Sequence, residues 1–415
     1  MRPCYRLVGC LLITLIVVAP ASAQEQPEAA SDAARFFPRQ GFLLSGYGGA
    51  GYRALFTDEG TPNDFSAIFA PIMLFQISDR FLFEGELEFE LEEGVTATDL
   101  EYAQVDVALT NNLTLVAGKF LLPFNVFSER LHPSWINRLI SGPALYGGHG
   151  SLAPTDPILP VLADVGVQLR GAYDLGDFRT LTAEIFVTQG PTLAEEGHAE
   201  EPAPAGPASK TSAVAGGGAE PGDLAFGGDF ADNNEDKMVG GRVGFGIAPY
   251  FEINVSGMTG AYDRAGDLRF SALGLHLEGR HKSFTIHGEF MQTWQDRAAE
   301  DVHNEGSITP SLPAKTRSQA LAATLNEAPS ETLVRRGYWV QSGYRWGKWQ
   351  PLVRWTQFFA SDLDGETAVE AGRQLALGLD YWFEPTLVLK VEYLINDEEH
   401  SVDNNRLALQ LAFGF

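Results

Sequence analysis

Phe81-Leu82-Phe83-Glu84-Gly85-Glu86-Leu87-Glu88-Phe89-Glu90-Leu91-Glu92 sorts into two columns. Phe81, Phe83, Leu87, Phe89 and Leu91 share one with Gly85; Glu84, Glu86, Glu88, Glu90 and Glu92 form the other. A strand turns successive side chains to opposite faces, whereas a helix would scatter the acids around its circumference. The segment is therefore a strand with one greasy and one acidic face. In a sandwich the acids would face solvent and the aromatics a core; in a membrane barrel the acids line water and the aromatics face lipid.

The last ten residues repeat the pattern, and the rest of the chain decides between the two. Leu407, Leu409, Leu411, Phe413 and Phe415 fall on one face, and Arg406, Ala408, Gln410, Ala412 and Gly414 on the other. This aromatic ending resembles the final strand of bacterial outer-membrane β-barrels, and the resemblance implies that Phe415 is read by the barrel-insertion machinery. Alternation recurs at Val165-Val167-Leu169, Leu273-Leu275-Leu277, Leu375-Leu377-Leu379 and Leu387-Leu389-Val391. Such segments number about sixteen between residues 42 and 415. Tight connectors fall at 78–79, 110–112, 175–177, 249, 281–282, 347–348 and 384–385. Between them lie longer ones, some very long, at 123–161, 190–236 and 298–333. With both termini periplasmic, every short connector lands on the periplasmic side, the asymmetry of outer-membrane barrels. Tyr338, Trp346, Trp349, Trp355, Tyr381 and Trp382 cluster near strand ends, as interface belts require. The predicted fold is all-β: a transmembrane antiparallel barrel of about sixteen strands over 41–415, with outer-membrane lipid and lipopolysaccharide as neighbours.

The amino-terminus agrees. Arg2 and Arg6, an apolar run from Leu11 to Ala19 and Ala21-Ser22-Ala23 predict a secretory signal over 1–23. Residues 24–40 read as a polar periplasmic tail. Both cysteines, Cys4 and Cys10, lie in the signal, so the mature chain has neither disulfide nor thiol chemistry. The formal charge of −25 excludes nucleic acid as a natural partner.

The connector 123–161 is not ordinary loop sequence. Phe124, Phe127, Trp135, Ile136, Leu139 and Ile140 alternate with Glu129, Arg130, His132 and Arg138. Apolar anchors of this kind predict a loop packed against something, and the barrel lumen is the natural place. Gly118-Lys119-Phe120 and Pro123-Phe124, followed by this Arg- and Trp-bearing third loop, resemble the phosphate-selective porin O and P family. The general plan is similar to trimeric sixteen-stranded porins, which implies a homotrimer. The resemblance implies a diffusion channel that draws anions with basic side chains. The motif covers only about 118–160, and the dense arginine or lysine ladder of that family is missing.

Alternation assigns lumen residues. The constriction is expected between Lys119, Arg130 and Arg138 on one side and Glu84, Glu86, Glu88 and Glu90 on the other. Arg170, Arg242, Arg280, Arg345, Arg354 and Arg406 are expected along the lumen wall. Opposed charge walls would orient polar solutes; ion pairing between neighbouring strands is the plainer use of the same residues.

Enzyme signatures are missing: there is no Gly-x-Ser-x-Gly elbow, His-Glu-x-x-His or phosphate-binding glycine loop. His276 and His287 fall on lumen faces, where hydrogen bonding to Glu278 or Glu289 is the expected role. Asp232-x-Asn234-x-Asp236 echoes the start of a calcium loop, but Lys237 stands where glycine is required, so 229–236 reads as an acidic outer loop. No cofactor or metal is expected. The predicted function is a passive channel for small hydrophilic solutes, possible anions such as phosphate included. The alternatives are a transporter for hydrophobic molecules and a structural barrel with a blocked lumen.

Overall fold

The rule of two that sorts Phe81–Glu92 holds around a complete ring. The computed structural model describes residues 41–57, 60–92, 95–147, 153–160, 162–193, 224–226, 234–297, 331–363, 366–369, 371–398 and 404–415. The expected signal over 1–23 and tail over 24–40 lie outside the described residues. So does 229–233 of the calcium-like stretch.

Sixteen antiparallel strands form a closed barrel. They are β1 (Gly41–Phe56), β2 (Asn63–Gln76), β3 (Phe81–Glu92), β4 (Val95–Thr110), β5 (Leu113–Leu121), β6 (Ala163–Gly176), β7 (Arg179–Thr188) and β8 (Met238–Ile247). The ring continues with β9 (Phe251–Ala261), β10 (Arg269–His281), β11 (Phe284–Arg297), β12 (Glu331–Tyr344), β13 (Trp349–Phe359), β14 (Gly372–Glu384), β15 (Leu387–Glu398) and β16 (Asn405–Gly414). Consecutive strands pair, and β1 pairs with β16 to close the ring. At that seam Gly46 and Phe415 exchange both backbone hydrogen bonds, at 3.1 and 3.0 Å. Ser45 Oγ donates to the Phe415 carbonyl at 2.7 Å, and Phe415 stacks on Phe69 with ring centres 5.7 Å apart.

The outward face is apolar. Phe65, Ile185, Val243, Val255, Leu411 and Phe413 are all exposed, while Gln168, Arg242, Glu289, Arg354 and Glu392 on the other face are buried. A band of exposed apolar side chains around a closed ring has lipid as its matching solvent, and closure leaves no unpaired edge in it. This is a transmembrane β-barrel of the Gram-negative outer-membrane type. No helix among the described residues is long and apolar enough to cross a membrane.

One connector departs from expectation. β4 begins at Val95: Val95, Thr96 and Thr98 are strand formers, and the run 95–98 pairs with Phe89–Glu92. Only residues 93–94 then link β3 to β4, on the side otherwise given to long loops. β4 also carries a bulge. Glu86 pairs with Tyr102 but Leu87 with Leu100, so Glu101 is the extra residue and alternation changes phase there.

Candidate functional site

The third loop enters the lumen from the end of β5 and runs as a strap along its length. Phe127–Leu131 forms one turn of π-helix, and Tyr146–Gly147 pairs in parallel with Leu159–Pro160 inside the loop. Phe124, Phe127, Leu145, Tyr146 and Leu159 join Phe186, Met258, Met291, Trp339 and Phe358 of the wall in one apolar cluster. Of the loop residues expected to pack inward, Phe124 and Phe127 sit in this cluster, Leu139 packs with Leu352, Ala376 and Leu394, and Trp135 lies against the Trp382 cluster, while Ile136 and Ile140 stay half-buried.

Two buried glutamates hold the strap. Glu289 on β11 accepts hydrogen bonds from Val126 N (2.8 Å) and Phe127 N (2.9 Å) at one oxygen. At the other it accepts from Tyr146 Oη (2.7 Å) and Trp339 Nε1 (3.1 Å). Burial, and then the Glu289 charge, raise the Tyr146 pKa well above the ordinary phenol value, so its hydroxyl remains a donor. His276 Nδ1 lies 3.2 Å from Glu289, as expected for a hydrogen-bonded lumen histidine. Glu392 on β15 accepts from Ile140 N (2.9 Å) and Ser141 N (3.2 Å).

Cations complete the attachment. Lys390 Nζ donates to the carbonyls of Ser134 (2.5 Å), Asn137 and Leu139 (3.3 Å). Arg354 donates to Ser141 O (2.9 Å), Ser141 Oγ (2.7 Å) and Gly142 O (2.8 Å). Arg242 reaches Asn125 O and Glu129 (both 2.5 Å) as well as Glu184 (3.0 Å) on its own wall. Such charge-assisted bonds are the strong class, and they leave these cations little to offer a solute.

The strap reaches the short-turn rim. Leu139 fits over Gly378, where a Cβ would lie 2.3 Å from Leu139 Cδ2; Trp135 lies over Gly414, where a Cβ would lie 2.7 Å from the indole. A side chain at Gly414 would meet the rigid indole, and one at Gly378 would require Leu139 to turn aside.

An opening remains between the strap and the wall of β1, β2, β3 and β16. On the wall side it is lined by Tyr47, Gly49, Gly51, Arg53, Glu88, Glu90 and Arg406, and on the strap side by His132, Ser134, Asn137 and Ile140. Tyr47 Oη donates to Glu88 at 2.9 Å, and Arg53 binds Asp64 at 2.8 Å.

The sequence-assigned residues are placed unevenly around this opening. Glu88, Glu90 and Arg406 line it. Glu84 and Glu86 occupy the same column nearer the rim, with Gln104 3.5 Å from Glu84. Lys119 is buried, donating to Leu100 O at 2.6 Å with Asp99 at 3.9 Å. Arg130 binds Glu252 on β9 at 2.5 Å, and Arg138 lies over the Trp382 ring of β14 at 4.8 Å. The structure therefore does not bring Arg130 and Arg138 against the glutamate column: the strap turns their side chains to the wall that carries it. Arg170 bonds Gln168 at 3.0 Å, and Arg345 lies over Trp382 at 4.8 Å. Arg280 stands exposed near the end of β10.

Tyr47, Arg53 and Glu101 belong to the lumen and were not among the expected residues. Tyr47 and Arg53 share one face of β1 at an even spacing, a readable signal. Glu101 sits on the bulge, where alternation gives the wrong face. Among the described residues no group of three or more His, Cys, Asp or Glu is arranged to hold a metal ion.

No protein-family model matches the chain, and no curated protein does. Solved structures do. OmpF of Salmonella typhi, in complex with daunomycin, is 13% identical with a TM-score of 0.54, over 91% of this chain and 98% of that one. The anion-selective porin from Comamonas acidovorans is 9% identical with a TM-score of 0.52, over 91% of this chain and 100% of that one. The outer membrane channel DcaP of Acinetobacter baumannii is 11% identical with a TM-score of 0.51, over 91% and 97%. Likeness at such identities extends to the architecture alone, and in architecture the chain is a sixteen-stranded porin-type barrel.

Proposed function

We propose that the chain forms a water-filled outer-membrane channel for passive diffusion of small hydrophilic solutes, with anions such as phosphate among them. The observation that carries this reading is the opening between the strap and the β1–β3 wall, with Glu88, Glu90, Arg53 and Arg406 in its lining. Glu88 and Glu90 supply its negative side, and Arg53 and Arg406 its positive side. Lys119 and Arg130 act from behind this front, through the field rather than by contact. A transverse field across a narrow, low-dielectric passage orients polar solutes and favours them over apolar ones. The resemblance of 118–160 to phosphate-selective porins supports the anion part. Assembly as a homotrimer belongs to the same reading, on the strength of the shared plan, and molecular mass in detergent checks it.

Planar-bilayer recording is the test. Ohmic steps with a salt-dependent reversal potential are expected. Protein that inserts but gives no conductance would overturn the reading and favour a blocked barrel or a carrier of hydrophobic molecules.

A further inference from the structure

The short-turn rim holds three arginines whose hydrogen-bonding edges are unused. Arg138 and Arg345 each place the guanidinium carbon 4.8 Å from the centre of the Trp382 ring. Trp382 is buried and fixed by its own Nε1–H bond to Gln350 at 3.1 Å. A guanidinium stacked on an aromatic face keeps its in-plane N–H fork for another partner. Arg345 uses only Nε, on Gly347 O at 3.2 Å. Among the described residues, the Nη groups of Arg138, Arg280 and Arg345 make no hydrogen bond or ion pair.

Register brings Arg280 to the same place. Arg280 pairs with Thr285, and Thr285 with Gly343, two residues before Arg345. Two strand spacings, about 10 Å, separate those rows. The local acids are Glu278, which lies 3.7 Å from His287 and within electrostatic reach of Arg280, and Asp380, which stands opposite Lys390 in the ladder and within electrostatic reach of Arg138 and Arg345. Burial lowers the Arg138 pKa, and Arg345 and Arg280 press it in the same direction against Asp380. Three guanidinium groups are thus gathered at the rim around two acids, with their Nη donors unspent.

We propose that Arg138, Arg280 and Arg345 form an oxyanion site at the periplasmic mouth, taking the carboxylate or phosphate group of a passing solute. Guanidinium forks match both groups bidentately. The inference rests on the channel reading for the source of its ligand, but binding at the rim can be measured without conduction.

Purified full-length protein in detergent is titrated calorimetrically with inorganic phosphate and, separately, with succinate. Chloride conductance is recorded in bilayers at rising phosphate and constant ionic strength. Saturable binding of at least one probe is expected, with a parallel saturable fall in chloride current. Arg280→Gln with Arg345→Gln should raise the midpoint about a hundredfold, about tenfold for each arginine. The lysine versions, which keep the charge and lose the fork, should recover part of the loss. Arg373→Gln, on the opposite rim, should leave the midpoint in place. Phosphate binding alone identifies a phosphate site, and succinate binding alone a carboxylate site. Titration of neither probe to saturation, or equal midpoints in wild type and the glutamine variant, would overturn the proposal. Absence of conductance with intact calorimetric binding would remove the channel reading and leave the site standing.

Discussion

Glu289 and Glu86 are both buried lumen carboxylates, one on β11 and one on β3, with opposite surroundings. Glu289 divides two oxygens among two loop amides, a phenol and an indole. Glu86 takes nothing from the strap: Tyr47 and Tyr102 of the neighbouring wall stand beside it, and its column neighbours Glu88 and Glu90 border the opening. Charge facing a lumen acts on a solute only where the strap has not already used it. The wall under the strap is structural chemistry; the wall across from it is left for transport.

Five experiments break or sharpen that contrast. Glu289→Leu would leave two amides, a phenol and an indole unpaired in the interior. Stability in urea should fall by about 3–5 kcal/mol, the usual cost of deleting one partner of a buried charged network. A loss below about 1 kcal/mol, as for an ordinary surface change, would mean the strap is held elsewhere. Lys390→Met frees three carbonyls near residues 134–139. It should cost ~1.5–3 kcal/mol, the range for hydrogen bonds to charged groups, and single-channel noise should increase as that part of the strap loosens.

Glu88→Gln with Glu90→Gln acts on the other wall. Stability should move by less than about 1 kcal/mol, while the reversal potential shifts toward anions, more at low salt than at high. Arg130→Ala with Arg138→Ala should shift it toward cations by less. The reverse ranking would make the loop arginines the constriction. The smallest effect belongs to Arg373→Ala. Its partner Asp397 is 3.6 Å away and both side chains are more than half exposed. Loss of such a pair changes stability by about 0.5 kcal/mol or less, and a larger change in the urea midpoint would show that the rim is coupled to the strap.

The barrel was legible because its code is local. Each strand declares its faces within a few residues, as in Phe81–Glu92 and Leu407–Phe415, and lipid and water read the two faces everywhere alike. The inward course of 123–161 was legible from Phe124, Phe127 and Leu139, which no exposed loop needs. Its partners were not. Lys390 and Asn137, or Glu392 and Ser141, are about 250 residues apart, and nothing in either neighbourhood names the other. Arg354 and Arg242 read as lumen-wall charges, paired at most with neighbouring strands, for that reason. Arg130 and Arg138 read as facing the passage because a loop without period gives no face to assign. Glu101 was lost to a bulge, which breaks the alternation on which the assignment depends.

The seam has a consequence for assembly. Ser45 and Phe415 meet across 370 residues of sequence, whereas every other strand in the ring pairs with its neighbours along the chain. Long-range pairing is slow because the intervening chain must be ordered first. Until β16 arrives, β1 presents an open row of amide and carbonyl groups, the kind of edge that recruits foreign strands. Ring closure is therefore the step at which this protein is most exposed to mispairing. A short peptide copying Arg406–Phe415, added during refolding, should hold the barrel open by occupying β1, and a peptide copying an interior strand should not.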